Sequence, residues 1–108
     1  MKQGLYRISL QTGLGADTAV VVLNDGRMLG GDSRFAYIGD YTFSGDSFSA
    51  QLFIRQIGDA PGMATALGLL PVTLQLKGKI SGDHIDATGA AHEYPERECQ
   101  AEFAWLES

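Results

Sequence analysis

Apolar residues along this chain recur at every second position, the period of a strand with one buried face, and not at helical spacing. Tyr6, Ile8 and Leu10 share one face, with Arg7 and Ser9 on the other. Thr18 to Leu23, TAVVVL, is β-branched and apolar on both faces. Asn24-Asp25-Gly26 tolerates positive φ and predicts a hairpin turn, with RMLGG beginning the return strand. Phe35, Tyr37, Tyr41 and Phe43 then alternate around Gly39, and Phe48, Ala50, Leu52 and Ile54 alternate with Ser49, Gln51 and Arg55. Val72, Leu74, Leu76 and Ile80 repeat the pattern, Ile85 and Ala87 form a short strand, and Cys99, Ala101, Phe103 and Trp105 close the series. The result is about eight strands, most of them joined by short turns.

Two segments depart from this rhythm. Gly58 to Pro71, GDAPGMATALGLLP, is the one long connection, with room for a short helical turn that Gly62 and Gly68 keep from growing. Ala90 to Glu98 reads as a second loop, because Pro95 cannot donate to a sheet ladder. An internal echo, Phe43-Ser-Gly-Asp-Ser-Phe and Ile80-Ser-Gly-Asp-His-Ile, reads as one hairpin turn used twice. Many short antiparallel strands must hide their edges by closing into a barrel or splitting into a sandwich. Gly30, Gly31, Gly39 and Gly78 interrupt apolar alternation and favour a barrel, whose strands bend and coil. The predicted fold is a single all-β domain over 1–108, an antiparallel up-and-down barrel.

The stretch NDGRMLGGD, Asn24 to Asp32, poses a specific question. Paired glycines beside an acid can cradle a phosphate, but that site needs a following helix whose N-terminus faces the anion. Here an aromatic strand, RFAYIGDY, follows, so Gly30 and Gly31 read as a corner.

Composition narrows the role. The 108 residues carry a net charge of −5, and the eight basic residues form no run, which argues against direct nucleic-acid binding. No stretch approaches a membrane span or a signal-peptide core, and a lone cysteine makes no internal bridge, so the expectation is a cytoplasmic protein off the membrane.

No catalytic motif stands out, and neither a metal nor a cofactor is expected. His84 and Asp86 share one side of a strand, but no third ligand is evident; His92-Glu93 reads as a surface pair; Cys99 lies on an apolar face and reads as buried and inert. The aromatic stripe Phe35, Tyr37, Tyr41 and Phe43, with Tyr6, Phe103 and Trp105, either fills the barrel or lines a ligand cavity. The number of large inward residues favours a mostly filled interior. Met63, Leu67, Leu69 and Leu70 in the long connection form either a lid over one mouth or a protein interface, most simply that of a homodimer.

The order GLYRISL, VVLNDGRMLGGDSRFAYIGDY, FSAQLFI and LKGKISGDHIDATG resembles the GrlR family of small β-barrel proteins, named for a negative regulator of type III secretion genes. The resemblance spans most of the chain, and its sharpest part is NDGRMLGGD with the aromatic-glycine-aromatic run after it. It implies a lipocalin-like, calycin-type barrel and a regulator that sequesters a transcriptional activator. The founding regulator carries an acidic run on a surface turn; the matching segment here, Ser44 to Ser49, holds only Asp46. The expected role is therefore non-catalytic binding, of a protein partner such as a transcriptional regulator or of a small apolar ligand. The alternative is a barrel hydrolase or isomerase working through Tyr37, Tyr41 or the His84/Asp86 pair.

Overall fold

The computed structural model describes residues 1–58 and 71–108. They form one antiparallel sheet: β1 (Gly4–Thr12), β2 (Gly15–Asn24), β3 (Arg27–Gly31), β4 (Phe35–Ser44), β5 (Ser47–Gln56), β6 (Val72–Ser81), β7 (His84–Ala91) and β8 (Tyr94–Glu107). Each strand pairs with its neighbours in sequence, and β1 pairs with β8, so the sheet closes into an eight-stranded barrel. The helical turn expected between Gly58 and Pro71 lies outside the described residues. No helix among the described residues is long and apolar enough to cross a membrane.

Period-two alternation sets the register. Ile8 stands between Ala19 and Phe103, and Leu52 between Gly39 and Leu74. A slip of one residue would turn every one of these side chains outward, so burial of the inner face pins the pairing. The inward positions merge into one core that runs from Tyr6 and Leu10 through Met28, Tyr37 and Leu52 to Phe103. No polar or charged residue is buried among the described ones.

The turns carry the chemistry that their shapes require. Asp25 and Gly26 both take positive φ, 51° and 79°, the two-residue turn that matches strand twist. The repeated Ser-Gly-Asp motif builds the β4–β5 and β6–β7 hairpins, with Gly45 at φ 60° and Gly82 at φ 61° in the same position of each turn. The echo is one steric solution applied twice.

Gly30 and Gly31 end β3 in regular pairing with β2 and β4, and what they supply there is close backbone approach. A Cβ on Gly30 would lie 2.0 Å from the Val20 carbonyl oxygen, so only glycine lets β3 approach β2 this closely. The Asp32 carboxylate accepts backbone N–H groups from Arg34 at 2.8 Å and Phe35 at 2.9 Å, closing the turn into β4. Those N–H groups are thus spent on the turn, and strand β4 follows them.

The second expected loop is corrected. Only His92 and Glu93 separate β7 from β8, and Pro95 lies inside β8. The ladder shifts register there: Ala90 pairs with Glu98 but Ala91 with Tyr94, leaving Pro95 in a bulge where its missing N–H is not needed. His92 and Glu93 also clasp β6. The His92 N–H donates to the Thr73 carbonyl at 2.9 Å, and the Thr73 N–H donates to Glu93 Oε1 at 2.9 Å, which holds the Glu93 carboxyl below its usual range.

The N-terminal segment seals one mouth. Tyr6 donates its hydroxyl to the Lys2 carbonyl, Trp105 Nε1 donates to the Gln3 carbonyl at 3.4 Å, and Asp25 donates its N–H to Gln3 Oε1 at 2.6 Å. Lys2 Nζ sits 4.2 Å from the Trp105 ring centroid and 2.8 Å from Asp83.

Candidate functional site

The structure divides the sequence candidates between three places. Tyr6, Phe35, Tyr37, Tyr41 and Phe103 are buried in the lumen. Trp105 is half-buried against the core at the sealed mouth. Phe43 does not line the interior: it is 52% exposed. It keeps the inward phase, but it pairs with Phe48 one step before the Ser44–Ser47 turn, where β4 runs past the packed section. Met63, Leu67, Leu69 and Leu70 lie outside the described residues.

Aromatic rings meet one another across the lumen. Phe103 of β8 packs edge-on against Phe48 of β5 at 5.4 Å and Tyr6 of β1 at 6.5 Å, and Tyr41 of β4 stacks on Phe48 at 6.0 Å. Four inward glycines accompany these rings. Gly30 faces Val21 and Tyr37, Gly39 faces Met28 and Leu52, Gly78 faces Phe48 and Ala87, and Gly89 faces Leu76 and Cys99. Large side chains on one strand thus occupy space that the next strand leaves empty, which is how a narrow barrel fills.

Burial sets the ionisation of the lumen groups. It raises the pKa of the Tyr6 and Tyr37 hydroxyls, with nearby Tyr41 and Asp83 adding to the first and Asp17 and Asp32 to the second. It also pushes the Cys99 thiol up to about 11, against a partial lowering by the Gln11 backbone. A thiol held protonated at neutral pH is a poor nucleophile.

His84 and Asp86 are both exposed on the outer wall. Their cross-strand neighbours are Ser81 and Ala104 for His84, and Lys79 and Glu102 for Asp86. Among the described residues no group of three His, Cys, Asp or Glu could hold a metal ion.

The feature that periodicity alone did not assemble lies on the outside. Leu5 stands opposite Val22, Val22 opposite Leu29, Leu29 opposite Ile38, and Ile38 opposite Phe53. Val22 is 44% exposed, Leu29 48% and Phe53 38%, and Val20, two residues along β2, is another 44%. These residues form an apolar row across five adjacent strands, where an antiparallel sheet in water carries polar side chains. A groove of ≈ 390 Å³ crosses its end, lined by Ile38, Gly39 and Phe53 with Arg27, Asp40, Gln51 and Thr73. On β6 to β8, Lys77, Lys79, Asp86, Thr88 and Gln100 flank a second, polar groove, while Leu14, Ile57 and Leu106 expose single apolar side chains at strand ends and turns. The sequence signal for the row was present in TAVVVL, apolar on both faces, and in Leu29 and Phe53, which are out of phase with their strands' inward residues.

No family model matches the chain, and no curated protein matches its sequence.

Proposed function

We propose that this chain is a non-catalytic binding protein of the cytoplasm that docks a protein partner side-on through the outer wall of β1 to β5. The observation that carries this reading is the placement of apolar surface. The lumen is occupied by its own rings and aliphatic side chains, while Val20, Val22, Leu29 and Phe53 are exposed to water with Leu5 and Ile38 part-buried between and beside them. Closure of the barrel favours the same mode, because β1 and β8 satisfy each other and a partner cannot extend the sheet by adding a strand. Recognition then falls to side chains on the wall.

The resemblance to GrlR-like barrels, calycin-type in fold, gives this docking a purpose: regulation through a protein partner such as a transcriptional activator. A sequestering protein needs a face that competes for its target and has no use for a reaction centre. The acidic run of that family's founding regulator is missing at Ser44 to Ser49, so the apolar row is the surface assigned to the task.

A probe titration tests the location. Anilinonaphthalene sulfonate, added to isotope-labelled protein, is expected to shift the methyl and amide resonances of Val20, Val22, Leu29 and Ile38. Shifts concentrated on Leu52, Leu74 and Phe103 would instead place binding in the lumen and overturn the reading.

A further inference from the structure

We propose that the outer side of β4 to β6 is a binding site for a phosphorylated sugar, held through Lys77 and Lys79. The site shares no residue with the apolar row, so its failure would leave the docking face untouched.

The site follows from strand register. Two outward rows cross β4, β5 and β6 side by side: Thr42, Ser49 and Lys77 in one, Ser44, Ser47 and Lys79 in the other. Each row reads hydroxyl, hydroxyl, ammonium. All these side chains can donate to an oxyanion and none is a carboxylate, in a chain with 13 acids and 8 bases. No other two basic residues of the chain stand two apart, the spacing that puts both on one face of a strand. None of the side chains in the two rows makes a hydrogen bond or ion pair with a described residue. Thr42, Ser44, Ser47, Ser49 and Lys77 line a groove of ≈ 410 Å³, completed by Phe43, Phe48 and Gly78 of the row between them. That volume lies within the ~300–1,000 Å³ of small-ligand sites. Lys79 flanks the adjoining groove together with Lys77.

Geometry selects the ligand. Lys77 and Lys79 project from positions ~6.8 Å apart, so their ammonium groups can close on one phosphate from two sides. The hydroxyls on β4 and β5 both donate and accept, which matches the hydroxyls of a sugar. Three strands span ~10 Å, about the length of a hexose phosphate. Two carboxylates stand at the edge of the site: Asp86 opposite Lys79, and Asp46 in the turn between β4 and β5. With the net charge of −5 they repel a polyanion, which favours a single phosphate over the backbone of a nucleic acid.

Amide resonances of isotope-labelled protein, followed while glucose 6-phosphate is added to roughly 50 mM, test the site. Saturable shifts at Thr42, Ser47, Ser49, Lys77 and Lys79 are expected, with a Kd of about 1–5 mM. Lys77→Gln and Lys79→Gln are each expected to raise that Kd about tenfold, and Ser49→Ala about threefold, with circular dichroism unchanged. Inorganic phosphate is expected to shift Lys77 and Lys79 at about tenfold weaker affinity, and glucose alone to give no saturable shift. No shift at these residues over the whole range overturns the proposal, as does binding undiminished by both lysine changes. Inorganic phosphate binding as tightly as glucose 6-phosphate overturns the sugar assignment. A short DNA duplex that shifts the same residues at lower concentration overturns it in favour of nucleic acid.

Discussion

Gly78→Ala is expected to cost about 3 kcal/mol of folding stability and to lower the melting temperature by roughly 12 °C, measured by thermal and urea unfolding. A Cβ at Gly78 would lie 1.9 Å from the Asp86 carbonyl oxygen and 2.5 Å from the Ala87 Cα. Both are backbone atoms of β7, so no side-chain rotation relieves the contact. Strands β6 and β7 must part locally, losing ladder hydrogen bonds as they do. The side chain would also enter the row in which Phe48 faces Gly78 and Gly78 faces Ala87. Gly13→Ala is the control: nothing lies within 4 Å of an added Cβ there. That change is expected to stay within about 0.5 kcal/mol of wild type, as exposed substitutions ordinarily do. Equal effects at the two positions would mean that glycine acts through unfolded-chain entropy alone and not through the approach of the strands.

Phe103→Ala is expected to be costlier still, about 3–5 kcal/mol, because it empties the centre of the lumen. Phe103 is fully buried and touches rings from two other strands, Tyr6 of β1 and Phe48 of β5. Each edge-on ring contact contributes ~0.5–1.5 kcal/mol beyond its area. A closed barrel collapses poorly around a void, since its walls are held at fixed spacing by hydrogen bonds on all sides. Phe43→Ala removes the same ring from the rim, where it is 52% exposed, and is expected to cost less than about 1 kcal/mol. A Phe103 variant as mild as the Phe43 one would mean that the lumen is loosely packed.

Much of this architecture is readable from residue order because the barrel is one long alternation with explicit turn chemistry. Asp25-Gly26, Gly45 and Gly82 announce hairpins in local terms, and Tyr6, Ile8, Leu52, Leu74 and Phe103 announce the inner face. Three features are not local. Phe43 shares the inward phase, yet alternation assigns a face and not a depth, and the depth depends on where the neighbouring strands end. Pro95 looks like a loop residue until the register shift between Ala90 and Ala91 supplies a bulge for it. Gly89 gives no sign of its importance, although a Cβ there would meet the Gln75 carbonyl oxygen at 1.7 Å.

The candidate site was the least legible part, for the same reason. Leu5, Val22, Leu29, Ile38 and Phe53 lie far apart in sequence, and each is an unremarkable apolar residue in its own strand. They become a surface only when four separate strand pairings bring them level. The lumen candidates, by contrast, were found by periodicity because burial itself imposes the period. An exterior apolar row leaves only a weaker trace: a strand that is apolar on both faces, and single residues such as Leu29 and Phe53 out of phase with their strands' buried positions.

The barrel is closed, and its own rings and aliphatic side chains fill it. Proton–proton cross-relaxation in the free protein reports on both properties at once. Cross-peaks from the Phe103 ring to both the Tyr6 ring and the Phe48 ring are predicted, since they require β8 to meet β1 and to face β5 across a solid interior. Absence of the Phe103–Tyr6 and Phe103–Phe48 cross-peaks, in a folded and well-dispersed spectrum, would contradict the account by opening either the barrel or its lumen.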